Sequence, residues 1–172
     1  MGKVLSAFEN GWPGAISRSV DDIVVSLKNA SEADIPFGAP VFLNADGSGV
    51  VPFETGGSQT FEKFVGFAVR AADKTPDVYP VQQDMQRRAG NQAGAWHAGD
   101  VIEVLVRGSI AVTTNTGFSK GGKVYIRKSD GKIVASAGSE GTTLLLENCR
   151  VRNACATQNT CSEILVTVRN VQ

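Results

Sequence analysis

The sequence predicts an all-β protein: a single compact β-barrel or β-sandwich-like domain with an extended N-terminal arm and little helix. Three observations carry this expectation. Apolar residues alternate with polar ones over short runs, as in Val101–Arg107 and Ile164–Arg169, the period-2 signature of half-buried strands. Nineteen glycines are spread along the chain, which suits many turns and short strands. Roughly nine strand candidates stand against almost no helical periodicity.

The elements follow in order. Residues 1–20 (MGKVLSAFENGWPGAISRSV) have no clean period, and Trp12-Pro13-Gly14 excludes a helix or central strand, because Pro lacks the amide donor. This stretch reads as an extended arm leading into a β-rich body at 21–172. Asp22 to Leu27 and Pro40 to Leu43 form short strands, the second closed by the turn residues Asn44-Ala45-Asp46-Gly47. Phe64 to Val69 reads as a buried strand whose Gly66 marks a bulge or a close backbone approach. A long polar loop spans about 73–99, with a helical turn or two possible between Val81 and Arg88.

The second half is more regular. Ile102, Val104 and Val106 share one face of a strand, and Gly108 turns the chain into another at Ile110–Thr114. Lys123–Lys128 and Lys132–Ala135 flank Ser129-Asp130-Gly131, a hairpin whose Asp-Gly suits a tight primed turn. Thr142–Arg152 is a long strand, and in the last one Ile164, Val166 and Val168 face inward.

Composition narrows function. The 172 residues are 42% hydrophobic and 20% charged, enough for one domain that buries roughly 70% of its chain surface. Seventeen basic residues balance 17 acidic ones, so the surplus of Lys and Arg behind nucleic-acid affinity is missing. Arg87, Arg88, Arg150, Arg152 and Arg169 read as solvated strand edges. No apolar run approaches the ~20 residues of a membrane helix, and the N-terminus does not resemble a signal peptide. No nucleic-acid or membrane partner is expected.

No catalytic, cofactor-binding or metal-binding residues are expected either. Cys149, Cys155 and Cys161 stand five residues apart, which is not zinc-ligand spacing, and they read as free thiols. His97 is the lone histidine, and His97-Ala98-Gly99-Asp100 reads as a turn with Asp100 capping it. Ser119-Lys120-Gly121-Gly122-Lys123 lacks the phosphate-loop frame and reads as a turn. Asp21, Asp22, Glu103 and Glu147 are the carboxylates that could be paired, with no sequence signal of burial.

Two tryptophans lie outside the clear strands. Trp12 and Trp96 are candidate interface anchors, since Trp and Arg carry interface energy disproportionately; Phe8, Pro13 and Arg18 join them.

Several blocks resemble the structural cement (decoration) proteins of tailed-phage heads. They are ENGWPGAISRSVDD, IPFGAPVFLNADG, FVGFAVRAADKT, AGDVIEVLVRGSIAV and GGKVYIRKSDGKI, running in order over residues 9–135. The resemblance implies a non-enzymatic virion protein, a homotrimer on the outer surface of the expanded capsid, assembled in the host bacterial cytoplasm. It would cement neighbouring major capsid protein subunits against internal DNA pressure. The arm at 1–20 could add a strand to a capsid edge. Alternative readings are a head-fibre base or tail protein, or a carbohydrate-binding β-domain using Trp96 and the polar loop.

Overall fold

The stretch Val101–Thr114 reads as two strands parted at Gly108, yet it forms one strand of 14 residues, and the sheet is arranged around it. The computed structural model describes residues 11–57, 59–71, 94–155 and 160–167. Within them the strands are β1 (Ile16–Lys28), β2 (Ile35–Pro36), β3 (Pro40–Leu43), β4 (Val50–Pro52), β5 (Phe64–Ala68), β6 (Ala95–Trp96), β7 (Val101–Thr114), β8 (Lys123–Arg127), β9 (Ile133–Val134), β10 (Thr143–Asn153) and β11 (Thr160–Val166). Among the described residues the helical content is one 3-10 turn at Phe61–Lys63. Phe8, the expected helical turn at Val81 to Arg88, most of the polar loop, Val168 and Arg169 lie outside the described residues.

An antiparallel sheet runs β4–β3–β5–β7–β11–β10–β8–β9, with β1 also on β7, and curls into a half-barrel. β2 and β6 make a separate pair. The first half of β7 faces β1 and meets β5 at Val104 and Leu105, while Gly108 to Thr114 pair with β11. The strand starting at Asp22 in the sequence reading begins earlier, at Ile16. Ile16 and Arg18, inside the expected arm, already pair with Ile110 and Ser109.

Gly108 explains why β7 is continuous. Leu105 and Ile110 pack in the same core cluster although five residues apart, a separation that puts side chains on opposite faces of a regular strand. With φ at 120°, Gly108 lets the strand change face without ending. A positive φ therefore makes an irregularity here, not a turn.

The core has two parts. Phe42, Phe64 and Phe67, all fully buried, line up with ring centroids 5.6 and 5.4 Å apart. Burying each such side chain contributes about 1.5–3 kcal/mol. A second cluster holds Ile35, Phe37, Val41, Val50, Trp96, Ile102, Val104 and Val106. Adjacent residues on β3 and β4 divide between the two, Val41 and Val50 against Phe42 and Val51, so this end of the sheet is buried on both faces. The β2–β6 pair covers the second cluster with Ile35 and Trp96.

The β8–β9 hairpin forms as expected, with a different turn. Its last backbone pair joins the Arg127 amide to the Lys132 carbonyl at 2.8 Å, so Lys128–Gly131 make a longer loop than a two-residue primed turn. The Arg127 guanidinium braces it on Asp130 at 3.0 and 2.5 Å.

Gly66 marks a close approach. A Cβ there would overlap the Leu105 carbonyl of the neighbouring β7, and backbone cannot move aside as a flexible side chain can. Gly66→Ala is expected to cost about 2–3 kcal/mol in urea unfolding; a loss below about 0.5 kcal/mol would show that β5 and β7 are not in tight contact.

Candidate functional site

β1 and β7 shift register between Ile16 and Arg18, between Arg18 and Ile23, and between Ile23 and Val24, and the second shift is the largest. Arg18 lies opposite Ser109 and Ile23 opposite Arg107, so β1 carries several extra residues across a short interval of β7. The excess displaces Asp21 and Asp22 and opens a cleft of about 430 Å³ lined by Arg18, Asp21, Asp22, Arg107, Ser109 and Arg152 among others. Gly108 is the floor under Asp22, for a Cβ there would overlap the Asp22 Oδ1 atom.

Charges in the cleft are mostly matched. Arg107 donates to Asp21 at 2.6 Å, both being well exposed. Arg152 donates through Nη1 to the Ser109 hydroxyl at 2.9 Å. Asp22 Oδ1 is buried and has no hydrogen-bond partner. That leaves an acceptor and a guanidinium without a carboxylate in the same cleft.

Arg18 is shared with a neighbouring recess of about 550 Å³ that reaches Gly11, Ala111 and Glu163. There Glu163, 2% exposed, accepts from Arg18 Nε at 2.9 Å, from the Ser17 hydroxyl at 2.8 Å and from the Asn153 amide. A buried carboxylate needs such donors to offset its lost hydration. None of the four carboxylates named from the sequence is this one. Ser162, Glu163 and Ile164 are buried in succession, so no alternation distinguished it.

The candidate anchors separate. Arg18 lies in the cleft wall as described. Trp12 and Pro13 are half-buried in a turn closed by the Ala15 amide on the Trp12 carbonyl at 2.9 Å. Gly14 ties that turn to the body, donating to the Ala111 carbonyl and accepting from the Arg70 amide, each at 2.8 Å. Trp96 is a correction. It is 5% exposed, its indole N–H donates to the Val69 carbonyl at 2.8 Å, and its ring meets Phe37 edge-on at 6.2 Å. With ring and N–H both satisfied inside, Trp96 presents neither an anchor nor a sugar-stacking platform.

The remaining motifs resolve as turns. Asp100 Oδ2 accepts from the His97 amide at 2.9 Å, and the exposed His97 ring sits 3.0 Å from Asp34. Gly122 donates to Ser119 at 3.0 Å. None of the three cysteines is in a disulfide, and burial pushes the Cys149 thiol well up from its ordinary value.

A curled antiparallel sheet with one buried carboxylate bracing its strands defines an all-β protein. The comparisons narrow the class. A family model described as structural cement protein (E217 gp24/Pam3 gp6) matches residues 3–167, and the chain belongs to the structural cement protein family of phages. Its fold is similar to a chain in a structure titled the capsid of Myoviridae phage XM1. There the TM-score is 0.69 and identity 16%, covering 95% of this chain and 94% of that one. The head fiber gp8.5 N base of bacteriophage phi29 is a weaker likeness, with TM-score 0.42, 9% identity and coverage of 87% and 99%. No curated protein matches the sequence.

Arg18→Ala would leave Glu163 buried with Ser17 and Asn153 but no cation. Because the Arg18 side chain is 52% exposed, screening limits the loss to about 1–2 kcal/mol. Chemical denaturation measures it, and a variant as stable as the parent would show that the two neutral donors suffice.

Proposed function

We propose that this protein is a capsid cement: it binds the outer surface of the expanded phage head, bridges neighbouring major capsid protein subunits and holds the shell against the pressure of packaged DNA. The observation that carries the reading is the family match over residues 3–167. The fold likeness to a chain of a phage capsid, which spans nearly the whole of both chains, supports it. The role is mechanical, and no catalysis is part of it. The protein acts as a homotrimer in the virion.

The energetics need no special chemistry. A ligand that binds only the intact lattice stabilises it by about 2.7 kcal/mol when its free concentration is a hundredfold above the dissociation constant. Joining three copies raises the avidity without any new contact. A stiff sheet suits the task, since a body already in its bound shape loses less entropy on docking.

The test is co-sedimentation of purified full-length protein with expanded heads that lack it, beside unexpanded shells. Saturable binding to expanded heads at a fixed number of copies per hexamer is expected, and a folded protein that pellets with neither shell overturns the reading. The contribution of the N-terminal arm is measured with a chain lacking residues 1–10, because a cut at residue 20 would remove the Arg18–Glu163 pair and the start of β1. Loss of binding with an unchanged unfolding midpoint is the expected result.

A further inference from the structure

We infer that the outer edge of β1, together with the cleft at its register slip, is the seat for an extended segment of a partner polypeptide. The inference deepens the head-binding reading and rests on it.

The first argument is the state of the edges. An unpaired strand edge exposes a row of N–H and C=O groups that template pairing with another chain, and proteins normally keep such edges short or break them with proline. Two edges of this sheet follow that rule: β9 has two residues, and β4 has three and ends on Pro52. β1 does not. It runs for 13 residues without a proline, and among the described residues its strand partner is β7 alone. Ile23 and Val24 on it are 40% and 39% exposed. They are two of the three large apolar residues that stand open on the described surface, the third being Val101, which pairs with Lys28 of the same strand.

The second argument is the chemistry at the end of that edge. The cleft beside Asp22 contains an unpartnered, buried acceptor, Asp22 Oδ1, and the Arg152 guanidinium, whose hydrogen bond is to a neutral hydroxyl. An anionic ligand would meet Asp21 and Asp22 there, and a cationic one would meet Arg107 and Arg152. A peptide group satisfies both at once, its N–H toward Asp22 and its C=O toward Arg152. The same ligand, continued as an extended chain along Ile23 to Lys28, satisfies the open backbone edge and covers Ile23 and Val24, the strand-addition mode of recognition.

The test uses the full-length chain and expanded heads that lack it. In the parent protein, backbone amides of residues 19–28 are expected to gain hydrogen-exchange protection when heads are bound. The double substitution Ile23→Lys with Val24→Lys is expected to keep the parent's thermal midpoint and to bind heads at least about tenfold more weakly. The exchange measurement needs no variant, so it decides the matter even if the double substitution destabilises the fold. Head binding that leaves these amides unprotected overturns the inference and leaves the cement reading standing. Failure of the parent to bind heads overturns both. Protection that grows with protein concentration in the absence of heads would make a second copy of this chain the occupant, which also overturns the inference as stated.

Discussion

β7 must bury side chains in two different cores, and the rest of the sheet is shaped by how it does so. Ile102, Val104 and Val106 enter one cluster, Leu105, Ile110 and Val112 the other, and the alternation changes phase at Gly108. A residue with a Cβ there would be strained at that φ and would push the Asp22 carboxylate aside. The adjoining strand must accommodate the same irregularity, and β1 slips between Arg18 and Ile23 at this point. The face change, the slip and the cleft are therefore one event seen on two neighbouring strands. A bulge placed where a strand serves two neighbours re-aims side chains at the cost of local pairing, and here the local pairing given up is what leaves Asp21 and Asp22 outside the ladder.

Glu163 compensates for that lost pairing. It lies on β11, while its donors come from β1 (Ser17, Arg18) and β10 (Asn153), so one buried carboxylate joins three strands beside the slip. Buried ion pairs are seldom strong net stabilisers, because desolvation offsets their attraction. What this one supplies is geometry: the start of β1 cannot drift from β11 without stranding a charge that is 2% exposed. The WPG turn is fixed nearby in a comparable way, through the Gly14 bonds to Ala111 and Arg70.

Much of this fold was legible because it rests on local pattern. The alternation in Val101–Arg107 and Ile164–Val166, the Asp-Gly hairpin and the crowded Gly66 all follow from period and residue type. What escaped the sequence depends on contacts between distant segments. β2, β4 and β6 have two or three residues each, too few to display a period, and they exist because partners align them. Gly108 signals an unusual φ, but only the strands on either side decide whether that becomes a turn or a face change. Trp96 was misread because the flexible composition around it suggested a surface, whereas Phe37 and the Val69 carbonyl supply it with an interior. Glu163 was invisible for the opposite reason: its neighbours in sequence show no spacing, and its three donors come from β1 and β10.

A balanced formal charge bears on how such a protein finds its partner. With 17 residues of each sign, no long-range field of one sign steers it toward a shell, and recognition must come from short-range fit. Short-range fit discriminates shapes better than charge does, because backbone pairing along an edge demands a partner strand at the right angle and register. Under the proposed function this is the property required. A cement must prefer one conformation of the lattice over another, and it can shift that equilibrium only by the difference between its affinities for the two. An open strand edge of this length converts a small rearrangement of a partner segment into the difference between a paired strand and none.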